Sequence, residues 1–239
     1  MNAPEVQAIL FDKDGTLFDF DATWGVWARA QLGDLARDAG HLRAMADAIS
    51  FDYEQARFDP ASPVIAGTVA QAADLLLPHL PGRERAELIA ALDQAARDVP
   101  LVAPVPLAPF LSDLRAQGLR LGICTNDAEA TARAHASMAG VLELFDAIIG
   151  YDSGHGAKPT PRPLLAFADR LGLDPATVVM VGDSLHDLRA ARAAGMYAVA
   201  VLTGPAERAE LAPEADVVLA NIGDLPGWLA RINSGGCNA

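Results

Sequence analysis

Short blocks of hydrophobic and polar residues alternate along most of this chain. Residues 6–11 form an apolar run of strand length. From residue 110 onward, segments with apolar residues at helical spacing separate further apolar runs, which lie at residues 119–124, 145–149, 178–181 and 197–202. Strands and helices that alternate through short loops are typical of a parallel sheet covered on both faces. The pattern therefore predicts an α/β fold with a doubly wound parallel sheet.

The segment between the first apolar run and residue 100 has a different, helical character. Apolar residues recur at helical spacing over residues 22–32 and 35–49. Thr68 and Gln71 are spaced as a capping box, which predicts a helix through Leu77. A further helix is expected after Pro81-Gly82. This segment predicts a small helical bundle.

Four prolines lie between residues 100 and 109. Proline cannot continue a helix or lie in a central strand, so we interpret this stretch as a linker and expect the next helix to begin at Phe110. With a second junction at residues 18–21, it encloses the helical segment as an insertion. We therefore predict an α/β core of residues 1–19 and 101–239 and a small α-helical cap of residues 20–100, inserted after the first strand.

Composition narrows the range of partners and locations. The chain has 239 residues, 51% of them hydrophobic, and a formal net charge of -13. Such acidity argues against nucleic acid or an anionic membrane as a partner. We recognise no signal peptide, no apolar run long enough to span a bilayer, and no disulfide framework in the two distant cysteines. Cytoplasmic is the default expectation, and the oligomeric state stays open.

Polar residues follow the predicted strands where each strand ends. In doubly wound sheets, ligands bind at the carboxyl ends of the strands, so these residues are expected to converge. Alternation along an extended backbone would place Asp12 and Asp14 on one side and Lys13 on the other. Two carboxylates so close need a counter-charge, and a divalent cation supplies one. The strand-end candidates are Asp12, Asp14, Thr125, Asn126 and Asp183, with Lys158 in a nearby loop.

These residue types fit phosphoryl transfer. One carboxylate can attack phosphorus while the other protonates the leaving oxygen. Mg²⁺ prefers hard oxygen ligands such as those of Asp12 and Asp183. The phosphate oxygens need donors and positive charge, for which Thr125, Asn126 and Lys158 are candidates.

Several of these residues also have simpler interpretations. Thr125 fits a helix cap, and Lys158 fits a solvated surface charge. Asp187 is spaced from Ser184 as a capping box, so it is either a cap or part of a metal shell. His155 and His186 flank the expected site, and the sequence does not assign either a role.

The polar residues after the predicted strands form four motifs, at residues 12–17, 125, 158–159 and 182–187, and these motifs and their order resemble those of the haloacid dehalogenase superfamily. The helical insertion after the first motif is similar to a family cap, and the phosphoglycolate phosphatase-like members are the most similar. Two positions depart mildly from the family pattern: Lys13 stands where apolar residues are common, and Pro104-Val105 replaces a frequent Pro-Gly-Val. The motifs are Asp12-Lys13-Asp14-Gly15-Thr16-Leu17, then Thr125, then Lys158-Pro159, then Gly182-Asp183-Ser184-Leu185-His186-Asp187.

The resemblance implies a role for each matching residue. Asp12 would be the nucleophile that forms an aspartyl phosphate, and Asp14 the acid/base. Thr125 and Lys158 would bind the substrate phosphate. The implied Mg²⁺ ligands are Asp12, the backbone carbonyl of Asp14, Asp183 and, in or near the shell, Asp187.

The same resemblance sets the candidate reactions. Dehalogenases of this family lack the second aspartate, and its phosphonate hydrolases use a cap lysine, whereas residues 21–100 contain no lysine. We expect a Mg²⁺-dependent phosphatase for a small phosphorylated metabolite, with 2-phosphoglycolate as first choice by resemblance only. A phosphosugar mutase and a non-catalytic phosphate- or metal-sensing module stay as alternatives. Candidate cap contacts to the substrate are Trp24, Trp27, Arg29 and Arg57.

Overall fold

The computed structural model describes residues 5–59, 61–65, 67–97 and 99–233. Its strands are β1 Ala8–Phe11, β2 Phe51–Asp52, β3 Arg57–Phe58, β4 Arg120–Cys124, β5 Ala147–Ile149, β6 Val178–Gly182, β7 Tyr197–Val201 and β8 Val217–Leu219. Its α-helices are α1 Val26–Leu35, α2 Ala39–Ala48, α3 Val69–Leu76, α4 Arg85–Ala96, α5 Leu107–Ala116, α6 Glu129–Met138, α7 Arg162–Leu171, α8 Leu185–Ala194, α9 Arg208–Leu211 and α10 Leu225–Asn233. None of the helices in these ranges is both long and apolar enough to cross a bilayer.

Six strands form one parallel sheet in the order β5-β4-β1-β6-β7-β8. Strand β1 lies inside the sheet, and its last residue, Phe11, pairs with Ile123 of β4 and Val181 of β6. These three strands therefore end at the same level, which brings the polar residues that follow them to one edge. The sheet confirms the predicted doubly wound α/β fold.

Alternation along β1 buries both faces of this sheet. Ile9 and Phe11 belong to one hydrophobic cluster, whereas Ala8 and Leu10 belong to a second cluster on the opposite face. Residues of α5, α6 and α10 join the first cluster, and residues of α7 and α8 join the second. Because successive side chains of a strand point to opposite faces, a fully apolar strand is stable only where helices cover both.

The inserted segment has a hydrophobic cluster of its own, which extends from Phe20 to Ala96 and includes apolar side chains of α1 to α4. Thr68 accepts a hydrogen bond from the backbone N–H of Gln71, and the Gln71 side chain accepts one from the Thr68 backbone, so the predicted capping box is confirmed. The proposed division into a core of residues 1–19 and 101–239 and a cap of residues 20–100 stays a prediction.

The helix expected from residue 22 is confirmed, although its first part is not α-helical, and one other local element of the insertion was not predicted. A π-helical turn at Asp21–Gly25 leads directly into α1. The antiparallel pair of β2 and β3 was not predicted at all, because each strand has only two residues and shows no alternation to detect.

The proline-rich stretch also ends earlier than expected. Helix α5 begins at Leu107, so Pro109 lies within its first turn rather than in the linker. Proline is tolerated there because the first N–H groups of a helix have no partner within it.

Candidate active site

Asp12 and Lys158 meet at the carboxyl edge of the sheet. Asp12 directly follows β1, and Lys158 lies in the loop between β5 and α7. The ammonium nitrogen of Lys158 lies 2.8 Å from Asp12 Oδ1, and the Lys158 side chain is only 3% exposed. The sequence left open whether Lys158 is a site residue or a solvated surface charge. Its burial and its ion pair with Asp12 show that it is a site residue.

Four further hydrogen bonds, made with three residues, hold Lys158 in place. Its ammonium group donates to the backbone carbonyl of Cys124 at 2.8 Å and to Asp187 Oδ1 at 2.6 Å. The side-chain amide of Asn126 spans the lysine backbone: Oδ1 accepts from the Lys158 N–H at 2.8 Å, and Nδ2 donates to the Lys158 carbonyl at 3.0 Å. Asn126 thus lies at the site as expected, and we propose that it positions Lys158.

Asp187 makes the contacts of a helix cap and of a site residue at once. Its Oδ2 accepts from the backbone N–H of Ser184 at 3.1 Å and from the Ser184 hydroxyl at 2.6 Å, while its Oδ1 binds Lys158. The cap interpretation is confirmed, the second oxygen contacts Lys158, and a place for Asp187 in a metal shell stays a prediction.

Asp183 follows β6 and is 3% exposed. The Thr16 hydroxyl lies 3.5 Å from its Oδ1. The backbone of Gly15, with φ of 76°, passes so close that a Cβ on Gly15 would overlap the carboxylate of Asp183, and a Cβ on Gly204 would do the same. Two glycines are required here because the chain must approach Asp183 without side chains.

Carboxylate oxygens of Asp12, Asp183 and Asp187 lie within 4.8 Å of one another. Burial, opposed by Lys158, raises the pKa of Asp12 to about 7. Burial and the neighbouring Asp12 also raise the pKa of Asp183 well above its ordinary value. Three buried carboxylates beside one ammonium leave an excess of negative charge, which a divalent cation with a preference for oxygen would neutralise. The residues present therefore fit a metal such as Mg²⁺.

Asp14 faces a different cation from Asp12. Strand β1 ends at Phe11, so strand alternation does not extend over the next three residues, and the expectation that Lys13 points away from the aspartates was wrong. The Lys13 ammonium lies 2.7 Å from Asp14 Oδ1 and 2.6 Å from its Oδ2. The two aspartates are thus paired with two separate lysines, and the Asp14 side chain lies outside the group of Asp12, Asp183 and Asp187.

Lys13 is fully buried and connects Asp14 to the inserted segment. Its ammonium lies 3.2 Å from Asp127 Oδ2, 3.1 Å from His135 Nδ1, and 5.1 Å from the centre of a Trp24 ring. Because an ammonium only donates, Nδ1 of His135 accepts, and its Nε2–H donates to the carbonyl of Ala96 at 2.7 Å. Burial lowers the pKa of Lys13, but Asp14 and Asp127 outweigh burial and raise it above its ordinary value.

Sequence analysis missed this cluster of Lys13, Asp127 and His135. The one available signal was Lys13 itself, a charged residue between the two aspartates that follow the apolar strand β1. We noted this lysine only as a departure from the family pattern. Asp127 and His135 gave no signal, since their contact with Lys13 joins positions far apart in the chain.

Of the other candidates from the sequence, Thr125 and His186 lie at the site, and His155 does not. The Thr125 hydroxyl accepts from the backbone N–H of Asp127 at 3.1 Å, and α6 begins only at Glu129, so Thr125 is no cap of that helix. His186 lines the pocket above the site, whereas His155 is exposed and does not.

A pocket extends from these strand-end residues into the inserted helices. On the sheet side it is lined by Asp12, Asp14, Thr125, Asn126, Lys158 and Asp183. On the other side it is lined mainly by apolar residues, including Trp24 and Trp27. Arg29 and Arg57, which we also expected to contact the substrate, do not line it: Arg29 lies over the Tyr53 ring, and Arg57 pairs with Asp21 at 3.0 Å.

Comparisons with known proteins show the family to which this chain belongs. A phosphoglycolate phosphatase of Nitrosospira multiformis is 32% identical over 200 residues, which are 83% of this chain and 84% of the relative. A phosphoglycolate phosphatase of Rhodospirillum rubrum is 35% identical over 150 residues, 59% of this chain and 62% of the relative. The structure of CbbY from Rhodobacter sphaeroides in complex with phosphate has a TM-score of 0.68 at 23% identity, covers 92% of this chain and 96% of its own, and shows the shared fold alone. Residues 6–195 match the profile of the haloacid dehalogenase-like hydrolases, and the chain therefore belongs to that family.

Proposed function

We propose that this protein hydrolyses small organic phosphate monoesters through an aspartyl phosphate at Asp12. One observation carries the proposal: the Asp12 carboxylate is buried beside Lys158 and opens into a pocket, while Asp14 is held nearby by a different lysine. Two carboxylates in separate electrostatic environments can take separate roles in one reaction.

In the first half of the reaction, Asp12 is the nucleophile. One of its carboxylate oxygens bonds to phosphorus as the bond from phosphorus to the leaving oxygen breaks. Asp14, in its protonated form, gives its proton to that leaving oxygen. Lys158 is placed to stabilise charge on the phosphoryl oxygens because its ammonium already lies 2.8 Å from Asp12. The Thr125 hydroxyl is a further candidate donor to those oxygens.

In the second half, water replaces the alcohol. Asp14, now ionised, takes a proton from a water molecule whose oxygen bonds to phosphorus, and the bond from phosphorus to Asp12 breaks. Inorganic phosphate leaves, and the Asp12 carboxylate and the Asp14 proton are both restored.

A divalent cation fits beside this chemistry. We propose that Asp12, Asp183 and the backbone carbonyl of Asp14 hold Mg²⁺. Asp187 would lie in or near the metal shell, since its carboxylate is close to those of Asp12 and Asp183. When bound, the cation would supply positive charge to the transferring phosphoryl group.

The first candidate substrate is 2-phosphoglycolate. It is the first choice from the sequence resemblance, and two curated relatives carry the name phosphoglycolate phosphatase. It therefore serves as the reference compound in any comparison of substrates.

Asp14→Asn and Asp12→Asn test the two roles separately. The substrate is p-nitrophenyl phosphate, whose leaving group needs no protonation. With Mg²⁺, Asp14→Asn should release about one mole of nitrophenolate per mole of enzyme and then stall, because the phosphoenzyme forms but is not hydrolysed. Asp12→Asn should show no burst. Normal turnover by Asp12→Asn, or a wild-type activity that is unchanged by a chelator, would contradict the proposal.

The wild-type protein in the same assay, and a second assay with hexose phosphates, distinguish a phosphatase from a sensor and from a mutase. A sensor would hold its phosphoryl group in the wild-type protein as well, without steady release of phosphate. A mutase would interconvert hexose phosphates faster than it releases inorganic phosphate from them.

A further inference from the structure

The pocket has two halves of very different chemistry. Its sheet side carries the carboxylates and Lys158, whereas its cap side is lined mainly by apolar side chains, among them Phe20, Trp24, Trp27, Leu32, Phe58 and Val64. Several of these belong to the hydrophobic cluster of the inserted helices, so the pocket extends into that cluster. A phosphate held at the sheet edge would place the rest of its ester in the apolar half.

The described residues that line the cap half of the pocket include no lysine or arginine. The sequence from residue 21 to residue 100 contains seven arginines and no lysine. None of those arginines lines the pocket within the described part of the cap, where Gln31 and Thr68 are the polar side chains of the lining. Arg57 and Arg85 are engaged with Asp21 and Asp74 on the surface. A carboxylate on the substrate would meet no cap cation here.

The sheet half does not compensate for this absence. Among the described lining residues, Lys158 and His186 are the basic ones, and Lys158 is bound to Asp12 and Asp187. Asp14, Asp127 and Asp183 line the same half and would repel a second anionic group on the substrate. An anionic leaving group would therefore lose its hydration without gaining a cationic partner from the cap, and Lys158 is already paired with two carboxylates.

We infer that the pocket prefers a substrate with an uncharged, apolar leaving group, such as an aliphatic or aromatic alcohol, over 2-phosphoglycolate, the carboxylate-bearing compound that the sequence resemblance puts first. This inference rests on the proposed phosphatase function and assigns the substrate class of that same site. Trp27 adds one polar feature, because its buried Nε1–H has no hydrogen-bond partner among the described residues. A single neutral acceptor oxygen on the leaving group would satisfy it.

Three phosphate esters of primary alcohols test the inference in the full chain with Mg²⁺: ethyl phosphate, benzyl phosphate and 2-phosphoglycolate. All three release a primary alcohol, so differences in kcat/KM report mainly on how the pocket accepts the leaving group. We expect kcat/KM for benzyl phosphate to exceed that for 2-phosphoglycolate by about tenfold or more. The benzyl ring buries apolar area, whereas the carboxylate loses its hydration and meets no cation of the cap.

A charge placed in the cap half tests the cause. Gln31 lines the pocket on α1, and Gln31→Arg should raise kcat/KM for 2-phosphoglycolate by about tenfold while lowering it for benzyl phosphate. Ala30→Arg is the matched control: it adds the same charge to the adjacent, exposed position of α1, which does not line the pocket, and should change neither value by more than about twofold.

The outcomes separate this inference from the proposed function. A wild-type preference for 2-phosphoglycolate over the two uncharged esters would overturn the inference and leave the phosphatase function intact. Equal effects of Gln31→Arg and Ala30→Arg would overturn the role given to the cap lining. Release of phosphate from none of the three esters would overturn the proposed function itself, and the inference with it.

Discussion

At the scale of residues, two lysines divide the acidic groups of the site. Lys158 binds Asp12 and Asp187, and Lys13 binds Asp14 and lies beside Asp127. Each lysine is buried, so each pairing takes place where charges interact strongly and where a lost partner is costly. Asp12 and Asp14 thus each have a lysine of their own, although only one residue separates them in the sequence.

Lys13→Met tests the buried cluster around Asp14. The change leaves two carboxylates without their ammonium, and removal of one partner from a buried ion pair costs about 3 kcal/mol or more in the free energy of unfolding. Urea unfolding followed by circular dichroism measures the loss. Asp127→Asn is the matched control and should cost less, because Lys13 keeps its contact with Asp14. A Lys13→Met protein as stable as the wild type would contradict this account.

Asn126→Ala tests how Lys158 is positioned. The variant loses both hydrogen bonds to the Lys158 backbone, at 2.8 and 3.0 Å, and should lower kcat/KM by about tenfold to 100-fold through misplacement of the ammonium. We expect a stability loss of only about 1 to 3 kcal/mol. A change in stability without a change in kcat/KM would show that Asn126 has no part in the site.

At the scale of elements, the ends of the strands decide where the site residues point. The parallel register of β1 with β4 and β6 brings Asp12, Thr125 and Asp183 to one edge. The turn after β1 also shapes the site, because Gly15 has no side chain and the backbone of the turn can therefore lie directly against Asp183.

Gly15→Ala tests that close approach. The added Cβ would overlap Asp183 and would also be strained at φ of 76°, so we expect loss of Mg²⁺-dependent activity by 100-fold or more, on the order of 3 kcal/mol in transition-state stabilisation. Gly172→Ala is the matched control. Gly172 has a similar φ of 66° at the end of α7, and no other described atom would lie within 4 Å of its new Cβ. This control should cost about 1 kcal/mol of stability and leave activity unchanged.

At the scale of the whole molecule, we expect stability and the proposed metal binding to depend on pH, because the site is rich in buried carboxylates. The folded-state pKa of Asp12 is about 7, above its ordinary 3.8, because the carboxylate is buried. In the metal-free protein the native state holds this proton more tightly than the unfolded chain does. The contribution of Asp12 to stability therefore falls as pH rises from about 4 to about 7.

Mg²⁺ should reverse this trend. The cation binds the ionised carboxylate, and at about pH 5 only about one molecule in 100 has Asp12 ionised, so the apparent affinity falls about 100-fold from its value above the pKa. We expect Mg²⁺ to raise the thermal unfolding midpoint clearly at about pH 8 and much less at about pH 5. Asp183→Asn should abolish the Mg²⁺ effect at both values. An equal Mg²⁺ effect at the two pH values would contradict the assignment of Asp12 to the metal site.

The sequence by itself determined the sheet and the position of its polar edge. Short apolar runs such as residues 6–11 and 178–181, separated by helical segments, are typical of inner strands of a covered parallel sheet, and such a sheet brings the residues after each strand to one edge. For that reason the strand-end residues Asp12 and Asp183, together with Lys158, could be named as site candidates from the sequence alone.

Only the tertiary structure decided which charges meet and what surrounds the substrate. The side chains of Lys13, Asp127 and His135 lie together in one buried space. Lys13 is more than 100 positions from the other two in the chain, so the periodic pattern of the sequence cannot predict this contact. The apolar half of the pocket is likewise a property of packing, because Trp27 and Arg29 are near neighbours on one helix and only the fold selects which of them lines the cavity. Periodic patterns fix local structure and burial, whereas partners and pockets arise from contacts between separate elements.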